Sequence, residues 1–141
     1  MDSNAQSPGG PPAGRGLEAV DFAAQSCVFC ERACASAAAR LRRGAGPVAW
    51  PALLDAIISC RRLMNLNIEL LRQRSPLHPL MSAACVAACV LVCKAAEIAD
   101  RACASRGQRD PLLKEVADTC WIAAHACREV VSAGPRTARA S

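Results

Sequence analysis

The chain has 141 residues, ten of them cysteine, with 52% apolar residues, only two Phe and two Trp, no Tyr, and a formal net charge of +5. That length supports one domain, and the residue set predicts a core of Ala, Leu, Val, Ile and Cys, small side chains that suit close-packed helices. The modest charge argues against a nucleic-acid reader: no aromatic platforms interleave with the basic residues, and Arg15, Arg136 and Arg139 lie in the tails with Arg106 beside a turn.

Residues 1–16 are rich in Pro, Gly, Ser and Ala and are expected to be a disordered tail, with nothing to bury. They lack the charged start and apolar run of ~7–15 residues of a secretion signal, so a cytoplasmic location is expected. Thiols stay reduced there, which predicts metal ligands, redox groups or small core residues rather than a disulfide framework.

Three punctuation points follow: Gly44-Ala45-Gly46-Pro47, Ser75-Pro76-Leu77-His78-Pro79, and Gly107 to Pro111. Gly ends helices and Pro starts them, so helices are expected over about 17–43, 50–74, 79–105 and 111–133, with a disordered tail over 134–141. Asp110 before Pro111 reads as an N-cap. The apolar spacing is helical throughout, and four helices with short connections predict an all-α, antiparallel up-down-up-down bundle over residues 17–133 with a Cys-lined core.

On the first predicted helix Val20, Cys27, Cys30, Cys34, Ala38 and Leu41 fall within roughly 80° of one another at about 100° per residue. The second carries Leu53, Cys60, Met64, Asn67 and Leu71 on one stripe, and the third Cys85, Cys89, Cys93, Ala96 and Cys103, with His78 just before it. This third helix holds the longest apolar stretch, about Leu80 to Cys93, which falls short of the ~20 residues of a membrane span and predicts a buried helix, with no membrane partner. Its polar arc, Lys94, Glu97 and Arg101, is narrow, which predicts an oligomer. The fourth aligns Leu113, Cys120, Ala124, Cys127 and Val131, with His125 turned away. Every cysteine is therefore expected to point inward.

Depth is counted from the end holding Gly44 and Gly107. Cys34, Cys60 and Cys120 then lie at about ten residues, Cys30, Cys93 and Met64 at about thirteen, Cys27, Cys89, Cys127 and Asn67 at about sixteen, and Cys85 at about twenty. Nine cysteines so fall within roughly 17 Å of bundle axis, and only Cys103 stands apart.

Sulfur-only sites with two or three ligands suit Cu(I) best among the metals of a reducing cytoplasm, although silver or another thiophilic ion has the same chemistry. Zinc prefers a closed tetrahedron on loops or knuckles, iron–sulfur clusters favour wrapping loops, and the inward Glu and Glu-x-x-His of a di-iron bundle are missing. A single cysteine is more often core packing; nine in contiguous layers point to metal. Met64 is either a thioether ligand at the cluster edge or core, and Asn67 needs a partner or a mouth open to water. His78 either helps ions in at its end of the bundle or caps the helix in solvent. Cys27-x-x-Cys30 lacks the βαβ context of a redox dithiol.

These residues resemble the cytosolic branch of the cysteine-rich four-helix-bundle copper storage proteins of bacteria. The resemblance covers about residues 22–131 and rests on Arg74-Ser75-Pro76-Leu77-His78 and on Cys85-x3-Cys89-x3-Cys93. It implies a non-enzymatic homotetramer of bundles storing multiple Cu(I) ions through core thiolates. Carried over, the ligands are Cys27, Cys30, Cys34, Cys60, Cys85, Cys89, Cys93, Cys120 and Cys127, with Cys103 an outlying addition. Members usually carry more cysteines, and Ala124 interrupts what would otherwise be a continuing series on the fourth helix, so a capacity of about one ion per cysteine at most is expected. Thiol burial predicts a neutral, folded, packed core before any ion binds. Two other classes stay open: an interaction module whose cysteines only pack, and a zinc or redox sensor with a few fast thiols.

Overall fold

Proline sets the start of each helix in the computed structural model, which describes the backbone of residues 12–44 and 50–140 and side chains over 18–44 and 50–133. The elements are α1 (Pro12–Arg42), α2 (Pro51–Arg72), α3 (His78–Ser105) and α4 (Pro111–Ala140). A proline at N1 or N2 brings a pre-set φ and gives up an N–H that has no helical acceptor there. Asp110 caps α4: its Oδ1 accepts from the Leu112 N–H at 3.0 Å.

The helix ends use the left-handed backbone that satisfies orphan carbonyls. Gly107 (φ 70°) closes α3, its N–H donating to the Ala104 carbonyl while Gln108 N–H donates to Cys103. Gly44 (φ 66°) follows α1 in the same conformation. At the end of α2 the left-handed position is held by Arg74 (φ 54°), where a side chain is normally disfavoured. Its guanidinium compensates, donating to the Leu71 carbonyl at 2.9 Å and to Asp21 of α1 at 2.7 Å.

Two boundaries differ from expectation. Helical backbone already covers residues 12–16, and α4 continues through Gly134-Pro135 to Ala140, where a tail was expected. A helical proline forfeits a single i→i−4 bond locally and need not end the helix. Residues 1–11, expected to be disordered, lie outside the described residues.

Each helix packs against the two next to it in a closed ring, α1 on α2, α2 on α3, α3 on α4 and α4 back on α1. Cross-helix pairs establish that neighbours are antiparallel: Glu31 with Arg61 and Asp21 with Arg74, Cys60 with Cys89 and Asn67 with Ser82, Arg40 with Asp110 and Cys27 with Cys127. No strand occurs among the described residues. The core is Ala, Val, Leu, Ile and Cys, as composition requires: Ile57, Leu71, Val92 and Val116 are wholly buried.

Helix α3 is not buried all round. Its inner face carries Cys85, Ala88, Cys89, Val92, Ala96, Ala99 and Cys103, but Leu80, Leu91 and Ile98 are exposed on the outside. Only a third of its most apolar stretch is buried, and α3 is long and apolar enough to cross a membrane by composition alone. The expectation of a buried helix holds for one face.

Candidate metal centre

Four thiols, one from each helix, converge at mid-bundle. The sulfurs of Cys30 (α1), Cys60 (α2), Cys89 (α3) and Cys120 (α4) all lie within 4.8 Å of one another. Cys30 and Cys120 are 3.5 Å apart, Cys60 and Cys89 4.0 Å. Cys34, one turn along α1 and wholly buried, is close enough to act on the protons of Cys30, Cys60 and Cys120.

A second group lies nearer the Arg74 end. Cys27 and Cys127 are 3.7 Å apart, the Asn67 amide donates to both sulfurs at 3.9 and 3.8 Å, and the Cys85 thiol feels both Cys127 and Asn67. Asn67 has its partner inside the protein rather than at a mouth: its amide donates to Ser82 Oγ at 3.2 Å, and both residues are wholly buried. Ser82 went unnoticed in the sequence because a serine on a helix carries no signal of its own; its place opposite Asn67 appears only once α2 and α3 are in register.

The layers therefore differ from those counted along the sequence. Cys30, Cys60, Cys89 and Cys120 share a level, whereas counting put Cys89 lower and Cys60 higher. Counting assumed level helix ends. Cys30 lies twelve residues before the end of α1 at Arg42 and Cys60 nine after the start of α2 at Pro51, so their shared level puts the start of α2 about three residues below the end of α1.

Cys93 is a second departure. It is half-buried, while the other nine thiols are buried, and it faces the α3–α4 seam with its S–H donating to the Ala117 carbonyl at 3.4 Å. Four residues are about 40° more than a full turn, so a Cys-x3-Cys-x3-Cys series rotates about 80° away from its starting face. Cys103 lies eighteen residues after Cys85, five full turns, and so returns to the inner face near the turn end, 2% exposed. Met64 is wholly buried on the inner stripe of α2 between Cys60 and Asn67. His78, half-buried in the first turn of α3, has an inward Nδ1 with no partner, and burial followed by the nearby Arg74 charge depresses its pKa. His125 is exposed and rests on the Trp121 ring, centroids 4.0 Å apart.

Packed thiols compete for protons. Hydrogen bonds from Cys120, Cys30, Cys34 and Cys89 hold Cys60 far below its ordinary value, and Cys27 does the same for Cys127. Giving up those bonds raises the partners: Cys30 through Cys120, Cys34 and Cys60, and Cys27 through Cys127 and then burial. Cys85 and Cys93 are raised first by burial. At Cys89 and Cys120 one hydrogen bond lowers the pKa, from Cys120 and Cys30 respectively, but the other thiols and burial win and raise both. The shift is thus upward at Cys27, Cys30, Cys85, Cys89, Cys93 and Cys120 and downward at Cys60 and Cys127.

These separations suit a thiophilic cation. With metal–sulfur bonds of about 2.3 Å, two sulfurs are ~3.8 Å apart in a tetrahedral site, ~4.0 Å in a trigonal one and up to ~4.6 Å in a linear one. The four-thiol set fits all three coordination numbers, and the group can hold a metal ion. No protein-family model, no curated protein and no solved structure matches the chain.

Proposed function

We propose that this protein is a store or buffer for Cu(I), holding several ions along its core through cysteine thiolates. The observation that carries this reading is the continuity of the buried sulfurs: Cys34, then Cys30, Cys60, Cys89 and Cys120, then Cys27, Cys127 and Cys85, drawn from all four helices. A single ion would need only the middle four. Cu(I) accepts two or three thiolates, so neighbouring sulfurs can be shared from one ion to the next without loops that fold around each. Each ion bound to a neutral thiol displaces its proton.

Met64 lies within the line as apolar lining and a soft thioether edge, and Cys103 is outside it. The cargo enters a bundle whose helices are already paired, so no catalytic step is assigned and the protein acts by binding. A cytoplasmic setting keeps the thiols reduced. Association of copies through the exposed apolar side chains Leu80, Leu91 and Ile98 of α3 is part of the same proposal.

One observation favours a second reading: four thiols, one from each helix and mutually within 4.8 Å, also make a closed tetrahedral zinc site. Stoichiometry separates the two. Anaerobic titration of the reduced protein with Cu(I) against a chromogenic chelator is expected to saturate at several ions per chain, whereas a zinc tetrathiolate saturates at one ion and leaves the lower thiols free.

A further inference from the structure

Both ends of the sulfur line are closed. Beyond Cys34, Cys60 and Cys120 lie the buried side chains of Leu53, Ile57, Leu113 and Val116; beyond Cys27, Cys85 and Cys127 lie the hydrogen-bonded Asn67–Ser82 pair and Leu71. An ion coming along the axis must displace one of these plugs.

The side of the bundle is different. A cleft of about 450 Å3 opens on the α3–α4 seam, rimmed by Lys94, Glu97, Asp118 and Arg128, walled by Trp121 and floored by Ala124, and Cys93 forms part of its lining. Its size is within the ~300–1,000 Å3 of small-ligand clefts. The seam is open because α4 offers only methyl groups at Ala117 and Ala124. Cys93 is one turn from Cys89 on α3, and the Ala117 carbonyl it bonds is one turn before Cys120 on α4. An ion on Cys93 is therefore about 6 Å of helix rise from the four-thiol centre.

We propose that Cys93 is the receiving thiol of a lateral port, through which Cu(I) carried by a small thiol enters the core between α3 and α4. The route rests on the storage reading above. It proceeds by ligand exchange without redox change. The bond from Cu(I) to the carrier sulfur breaks as the bond to Cys93 Sγ forms, and the Cys93 proton leaves on the carrier as its thiol. In the second exchange Cys89 or Cys120 takes the ion and its proton returns to Cys93. Two cationic and two anionic rim side chains leave the cleft without a strong net field, which suits a zwitterionic peptide thiol more than a highly charged carrier.

The test is stopped-flow loading of the reduced apo-protein with Cu(I)–glutathione, comparing the wild type with Cys93→Ser. The variant is expected to load about tenfold more slowly or worse, since the transfer thiolate is gone, yet to reach a final capacity at most one ion lower. A companion measurement needs no variant: brief N-ethylmaleimide treatment of the folded, reduced wild type is expected to modify one thiol fast, mapped by peptide mass to Cys93, and to slow loading likewise. Unchanged loading rates, a faster-modified thiol other than Cys93, or a larger slowing by His78→Ala would overturn the port. A wild type that takes up no Cu(I) at equilibrium would instead bring down storage itself, and capacity rather than rate reveals that.

Discussion

Asn67 shows how a polar residue is made tolerable inside a core of thiols. Wholly buried, it spends its amide on Ser82 and on two sulfurs. Truncating one partner leaves the other buried without a hydrogen bond, a loss of about 1–3 kcal/mol, whereas replacing both by apolar groups is close to neutral. Asn67→Leu is therefore expected to lower the urea midpoint of the apo-protein, and adding Ser82→Ala to recover most of the loss; equal, additive losses would contradict the pairing. The thiols carry a pH dependence of definite sign. Cys27, Cys30, Cys85, Cys89 and Cys120 are held above their ordinary value of 9.0 in the folded chain. A raised acid contributes stability that is complete below its unfolded pKa and lost as pH rises above it, by up to about 1.4 kcal/mol per pH unit for each group. Cys60 and Cys127 are held below the ordinary value and their contribution is complete above it, so chemical denaturation of the apo-protein is expected to show a steep fall in stability above pH 9; stability rising with pH there would contradict the packed core.

At the level of elements, Arg74 joins α2 to α1 from a left-handed backbone position. Arg74→Ala keeps that backbone cost and loses both guanidinium bonds, so a destabilisation of about 1 kcal/mol is expected, modest because the ion pair is exposed. Arg74→Gly, which relieves the backbone, is expected to cost less; the reverse order in thermal unfolding would contradict backbone strain at this position. Helix positions were legible in the sequence because Pro51, Pro79, Pro111, Gly44 and Gly107 each do a job that few other residues can. The end of α2 was harder to read, since Arg carries no left-handed signal. Which thiols share a level could not be read either, because that depends on how far one helix slides along the next, and Arg61–Glu31 and Asn67–Ser82 set it. The turning out of Cys93 was legible in principle, since the drift of about 40° per step is a property of the spacing itself.

For the whole molecule, the line of sulfurs runs through a bundle whose four helices pack against one another in a ring. The helices therefore exist before any ion arrives, and loading is expected to change far-ultraviolet circular dichroism by little; a chain unfolded without metal would contradict this. On the proposed association of copies through the exposed Leu80, Leu91 and Ile98 of α3, Leu91→Glu is expected to reduce the mass measured by sedimentation without altering ions bound per chain. The most direct test of the central claim is the anaerobic Cu(I) titration of the fully reduced protein against a competing chromogenic chelator. Tight retention of several ions per chain is the predicted result. Saturation at zero or one ion would contradict storage, leaving the thiols as packing or as a single closed site.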